Sequence, residues 1–177
     1  ILMSRGEVTI EAITARVDPE ICTGCGMCIK VCPYHSIYKD EETGVARVVE
    51  ASCAGCGTCA AECQFGAIKM LHFSDEQIYA QIDSATDNEP EKKIVSFCCN
   101  WCSYAGADFA GVSRIQYPPS ARIIRTMCSG RVSPGFVRYA FARGAGAVLV
   151  SGCHPADCHY INANMQTEKR IRRIHKE

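Results

Sequence analysis

"CTGCGMCIKVCP", residues 22–33, decides the fold of the first half of the chain, because it returns 31 residues later as "CAGCGTCAAECQ", residues 53–64. Both runs space their cysteines C-x2-C-x2-C-x3-C. A pair of zinc ribbons would use paired C-x2-C knuckles with four ligands per ion, not runs of four at this spacing. Three thiolates on a tight loop can wrap three corners of an iron–sulfur cube. Gly24, Gly26, Gly55 and Gly57 let the backbone bend closely round it. The fourth cysteine of each run falls on the helix that follows and reaches the other cube. The spacing therefore predicts one 4Fe–4S cluster on Cys22, Cys25, Cys28 and Cys63, and a second on Cys53, Cys56, Cys59 and Cys32.

Between the runs, "SIYKDEETGVARVV" reads as two short strands around an acidic turn that ends in Gly44. After them, "SDEQIYAQID" reads as a helix, with Ser74 as N-cap and Gln77 as its capping-box partner. "SATDNEPEKK", residues 84–93, is polar, aperiodic and contains a proline, and so reads as a linker. The expected organisation is an α+β dicluster domain over 1–83, a linker over 84–93, and a second domain over 94–177.

The second half carries three Ile/Val-rich runs, "KIVSF", "RIIRTM" and "AVLVSG". Two stretches with helical spacing of apolar residues, "SYAGADFAGVS" and "SPGFVRYAFARGAG", separate them. Pro134 suits a first helical turn and Gly144 a helix end. Strand–helix–strand–helix–strand predicts an α/β domain with a small parallel sheet (βαβαβ) and right-handed crossovers. Such sheets place functional groups beyond the carboxyl ends of their strands. Cysteines occupy those ends: Cys98, Cys99 and Cys102 after the first strand, Cys128 after the second, Cys153 and Cys158 after the third. "GAGAVL" precedes a strand, so it is not a dinucleotide loop.

A lone strand–CxxC–helix would read as an exchanging dithiol, Cys99 with Cys102. An exchanger needs two thiols, and this edge offers up to six, so a cluster is expected. A tetrahedral zinc on Cys99, Cys102 and two further thiols stays open as an alternative. His154 and His159 directly follow cysteines, without the C-x-H spacing of a Rieske centre. They are expected as loop residues that hydrogen-bond near the site, and Trp101 as a packing residue or lid.

Fourteen cysteines among 177 residues would demand an oxidising compartment if they formed disulfides, and the spacings do not suggest that. No signal-peptide pattern is evident, and the longest apolar run is too short to span a bilayer. A cytoplasmic protein without membrane contact is expected. Net charge is zero, but residues 1–83 hold 6 basic and 12 acidic residues, and residues 84–177 hold 13 and 7. Two domains with different partners, or with each other as partner, would show this split. The arginines of the basic half are scattered and match no nucleic-acid-reading motif. The chain starts at Ile1 and stops inside a charged, helical-looking stretch, as expected of a piece of a longer protein.

Residues 15–70 resemble bacterial-type dicluster ferredoxins. Pro33 follows Cys32 as in that pattern, whereas Gln64 follows Cys63, a departure that touches the local turn and the potential but not ligation. "FCCNWCSYAGADFAG", "SRIQYPPSARIIRTMCSGRVSPGFV" and "VLVSGCHPADCHY" occur in the order of the delta subunit of methyl-viologen-reducing hydrogenase, which residues 93–175 resemble. The front half, from "EAITARVDPEICTGCGMC", resembles the C-terminal ferredoxin segment of the A subunit of heterodisulfide reductase. Together they are similar to a fusion of the two. The resemblance implies a 2Fe–2S cluster held by four of Cys99, Cys102, Cys128, Cys153 and Cys158, with the choice open between the last two and Cys98 in the core. It also implies a complex that couples a hydrogenase or formate dehydrogenase to flavin-based electron bifurcation, in methanogenesis. Expected partners are heterodisulfide reductase subunits, the hydrogenase or formate dehydrogenase, and ferredoxin, with the flavin on a partner or on a portion of the protein not in this chain. No bond-making chemistry is expected of the chain itself. A thiol–disulfide oxidoreductase fed by the dicluster, and a zinc-stapled scaffold, are the competing readings.

Overall fold

A computed structural model describes residues 12–175. Residues 1–11 of the expected 1–83 domain and 176–177 of the expected 94–177 domain lie outside the described residues. In the first half, strand β1 (Ala15–Val17) pairs antiparallel with β4 (Ile68–Met70), and β2 (Ile37–Lys39) with β3 (Ala46–Val48). The β2–β3 turn ends at Gly44, whose φ of 71° suits glycine. Two five-residue helices, α1 (Met27–Val31) and α2 (Thr58–Glu62), carry the third cysteine of each run, Cys28 and Cys59, while the fourth, Cys32 and Cys63, is the extended residue just past the helix and not on it as expected. The core between these elements is small. Ala15, Ile37, Ala46, Ile68 and Met70 are buried in it together with Cys28 and Cys59. So few apolar side chains leave this half dependent on what its cysteines hold, as in other small domains braced by metal.

The glycines of the loops show why. A Cβ on Gly24 would come within 2.2 Å of the Gly44 carbonyl oxygen, and φ there is 65°. Gly55 makes the same close approach to Ile13 O at φ 71°. Gly24→Ala is therefore expected to cost about 2 kcal/mol through left-handed strain and a backbone clash. The check is a chelator challenge, in which the variant should lose iron faster than wild type. Equal retention would show that the loop has room to move.

The second half builds a three-stranded parallel sheet in the order β6-β5-β7, from β5 (Ile94–Cys99), β6 (Ala121–Thr126) and β7 (Ala147–Ser151). Central β5 is buried at every position but its first, which explains its near-continuous apolar run. A π-helical turn, Asn100–Tyr104, runs from β5 into α4 (Ala105–Val112). Helix α5 (Pro134–Ala142) has Pro134 in its first turn, and Ser133 Oγ accepts from Phe136 N at 3.3 Å. Helix α6 (Ala163–Ile174) closes the described chain.

Helix α3 (Asp75–Ala85) has the expected capping box: Gln77 N donates to Ser74 Oγ, and Ser74 N donates to Gln77 Oε1. Ser84 and Ala85, within the stretch read as linker, form its last turn. Its buried face, Ile78 and Ile82, packs into the core of the second half with Val95, Phe97, Ile124 and Phe136. Tyr79 meets the Phe136 ring edge-on at 5.2 Å. The helix before the linker thus stands on the sheet after it. The charge split serves this contact. Asp75 pairs with Arg131, Asp83 with Arg143 and Glu62 with Arg170, each joining an acidic residue of the first half to a basic one of the second.

Candidate metal centres

Cys22, Cys25, Cys28 and Cys63 line one pocket, floored by Ala46 and Ile68. Cys63 arrives there across the small domain, 35 residues after Cys28 in sequence. The Ala46 backbone N–H donates to Cys22 Sγ at 3.5 Å. Burial, then the neighbouring thiols, pushes the Cys28 pKa up. Cys32, Cys53, Cys56 and Cys59 form a second group. Burial, then Cys56, Cys53 and Cys32, pushes Cys59 far up, and burial likewise raises Cys56. Buried thiols of this kind resist ionising by themselves. A bound metal would supply the positive charge that makes them thiolates, and an all-cysteine donor set suits an iron–sulfur cluster. Among the described residues no three acidic, His or Cys side chains close on one point as they would round a single ion.

The third group lies at the carboxyl edge of the parallel sheet. Cys99 ends β5, Cys128 lies just beyond β6 and Cys153 just beyond β7. Because the strands are parallel, all three emerge at one edge. Cys99 Sγ and Cys153 Sγ are 3.6 Å apart. Cys153 also interacts with Cys102, which is exposed on the π-helical turn. Such turns are frequent at functional sites. Burial, followed by Cys158, Cys56 and Cys99, pushes the Cys128 pKa up. Cys98 is buried on the strand, with Cys99 as the one thiol that bears on it.

His154 is exposed, and its ring faces the Pro155 carbonyl and Asp157. His159 reaches the site through its backbone, hydrogen-bonded to the Cys153 thiol, while its ring stacks on Trp101 at 3.7 Å. Trp101 is half-exposed and donates from Nε1 to the Tyr160 hydroxyl at 3.0 Å. Tyr160 is buried, and desolvation, then Cys128 and Cys56, pushes it up to about 12.

The second and third groups meet. Cys56, Cys128, Tyr160 and Ala163 form one buried cluster, with Tyr34 and Cys158 packed against it. Sequence reasoning missed the residues that build this junction. Arg131 is buried, its Nε donates to Phe73 O at 3.1 Å, and its aliphatic stem fills the space where Gly57 lacks a side chain. Arg170 is buried as well, and bridges Glu62 Oε1 and Gly130 O, each at 2.6 Å.

Fold and cysteine geometry define an iron–sulfur protein of the dicluster class. Residues 14–64 match the family described as "4Fe-4S dicluster domain". Residues 94–177 match "Methyl-viologen-reducing hydrogenase, delta subunit", so the chain joins a 4Fe–4S dicluster domain to one of the hydrogenase delta type. Over 171 residues, 96% of its length, it is 50% identical to the A subunit of the ferredoxin:CoB-CoM heterodisulfide reductase of Methanosarcina mazei, of which it spans 21%. It is 60% identical over 81 residues, 46% of its length, to the F420-non-reducing hydrogenase vhc iron-sulfur subunit of Methanococcus voltae, covering 56% of that protein. With the iron-sulfur subunit of the Archaeoglobus profundus F420-non-reducing hydrogenase, the identity is 47% over 88 residues, 50% of this chain and 64% of that one. The chain thus spans more than half of these hydrogenase proteins and about a fifth of the reductase one. No helix among the described residues is long and apolar enough to cross a membrane.

Proposed function

We propose that this chain is an electron-transfer module with three iron–sulfur sites in series. Cys22, Cys25, Cys28 and Cys63 hold one 4Fe–4S cluster, and Cys53, Cys56, Cys59 and Cys32 hold the other. Cys99, Cys102, Cys128 and either Cys153 or Cys158 hold a 2Fe–2S cluster. The proposed division is 1–83 and 94–177, bridged by 84–93, with helix α3 running two residues into the bridge and packing on the second half. When bound, the clusters supply one-electron redox chemistry. The chain fixes their spacing, shields them from water and tunes them through N–H···S bonds such as Gly130 N to Cys128 Sγ at 3.3 Å. The observation that carries the reading is the buried cluster that holds Cys56 and Cys128, one residue from each neighbouring site, together with Tyr160 and Ala163. On the other side, Cys28 and Cys59 share the first-half core. The second group thus shares a buried cluster with each of the others, and the proposed order puts it in the middle.

In this reading the delta-type domain accepts electrons from a hydrogenase or formate dehydrogenase. They pass through the dicluster toward a flavin on the rest of a heterodisulfide reductase complex, where bifurcation also engages ferredoxin. The dithiol alternative, Cys99 with Cys102, finds support in the exposure of Cys102 on the turn after Cys99. An attacking thiol needs access and a depressed pKa. Cys99 is fully buried, and burial raises its pKa, which weighs against it. The test is metal analysis with EPR on the anaerobically purified chain. Two four-iron clusters and one two-iron cluster give about ten irons per chain. About eight irons at full dicluster occupancy, with or without one zinc, would remove the third cluster.

A further inference from the structure

The junction between the second and third sites is held together across a single glycine. Gly130 N–H donates to Cys128 Sγ at 3.3 Å. On its other side stands the Thr58 hydroxyl, which lies 3.5 Å from Cys56 Sγ. A Cβ added to Gly130 would fall 2.3 Å from that hydroxyl and 3.1 Å from Ala163 Cβ. One glycine and one hydroxyl thus fill the path from the Cys56 sulfur to the Cys128 sulfur. Gly130 is not among the residues with positive φ, so its conformation does not call for glycine. The space does. Thr58 cannot yield easily, because it is fully buried and β-branched. Arg170 pulls the same point inward. Its Nη2 holds the Gly130 carbonyl while Nη1 holds Glu62, at the end of the helix that carries Cys59.

We propose that Gly130, clamped by Arg170, is a positioning residue that sets the closest approach of the Cys56 and Cys128 sites, and with it the speed of electron exchange between them. This rests on the reading of three sites in series. One electron leaves one site and the same electron arrives at the other. No bond forms or breaks, and no further oxidant or reductant takes part. A methyl group here would stand 2.3 Å from the Thr58 hydroxyl and 3.4 Å from Cys128 Sγ, so it is expected to push the two sites apart and, because tunnelling falls steeply with distance, to slow exchange without replacing a ligand. The side chain of Thr58 is the second half of the spacer.

The experiment compares wild type, Gly130→Ala, Thr58→Ala and the double variant, each purified anaerobically as the full chain, assayed for iron and fully reduced. The readout is the spin–spin coupling between the two sites in the EPR spectrum, which a merely stabilising residue would not move. Gly130→Ala is expected to keep wild-type iron and lose coupling. The double variant, with the clashing hydroxyl gone, is expected to regain it, as a coupled pair should. Arg170→Lys keeps the charge but not the two-armed grip. It is expected to weaken coupling with no atom added to the gap, and it decides the matter if Gly130→Ala does not fold. Wild-type coupling in Gly130→Ala and in Arg170→Lys, at normal iron content, overturns this inference alone. A wild-type chain with about eight irons and no third signal overturns the three-site reading itself, and this inference with it.

Discussion

Glu62→Ala is expected to destabilise the protein by about 3–5 kcal/mol, although Glu62 is not itself a candidate ligand. Its partner, Arg170, has a side chain only 2% exposed. Burial already pulls the Arg170 pKa down, and Glu62 is the first group that opposes this. The Nε of Arg170 has no hydrogen-bond partner. Without Glu62 the guanidinium would keep the Gly130 carbonyl as its one hydrogen-bond acceptor, and an uncompensated charge would stay buried at the junction. Removing both partners is a different experiment. Glu62→Ala combined with Arg170→Met deletes the charge along with its counter-ion, and should recover much of the loss. The exposed pair Arg172–Glu168 is the control, worth about 0.5 kcal/mol or less on its helix surface. Urea unfolding read through Trp101, the one tryptophan, reports on the junction directly because its ring stacks on His159. A midpoint for Glu62→Ala no lower than that of the surface control would show that the pair does not hold the two halves together.

The legible parts of this protein are those whose information is local. The 2-2-3 spacing places two thiols of each group on one loop and the third in the first turn of the short helix that follows. The repeat then tells which remote cysteine joins them, and the Cys22 group does share a pocket with Cys63. Helix α3 is equally readable as a helix, since Ser74 and Gln77 sit close together in sequence. Its destination is not. Ile78 and Ile82 announce an apolar face, but nothing in that face says whether it meets the sheet before it or the one after it. The same limit hides Arg170. In "EKRIRRI" it stands beside Arg172 and Arg173, and only the fold distinguishes the buried arginine from the exposed ones. Its partner Glu62 is 108 residues away. Gly130 in "CSGR" drew no reading from the sequence, because what it makes room for comes from the other half. The charge split of the two halves is the one sequence signal that points toward such contacts.

Cys102→Ser is expected to stop electron entry altogether. Cys102 belongs to every ligand set considered for the third site. It is also the exposed member of that group, on the π-helical turn between half-exposed Trp101 and the strongly exposed Phe109 of α4. A site that exchanges electrons with a partner needs such an edge near the surface, while Cys99, Cys128 and Cys153 are buried. Losing one of four thiolates should abolish the third cluster or perturb it strongly. Flavin reduction under hydrogen or formate, in the assembled complex, should then fall to the level seen without donor. In the proposed assignment the dicluster shares no ligand with the third site, so a small chemical reductant should still reduce it, and its EPR signals should remain. A dithiol enzyme would behave in the opposite way: partner reduction would persist, and only disulfide turnover would be lost. Wild-type flavin reduction by hydrogen or formate, in a complex whose third cluster is confirmed absent, would place the entry point elsewhere and reverse the proposed order of the line.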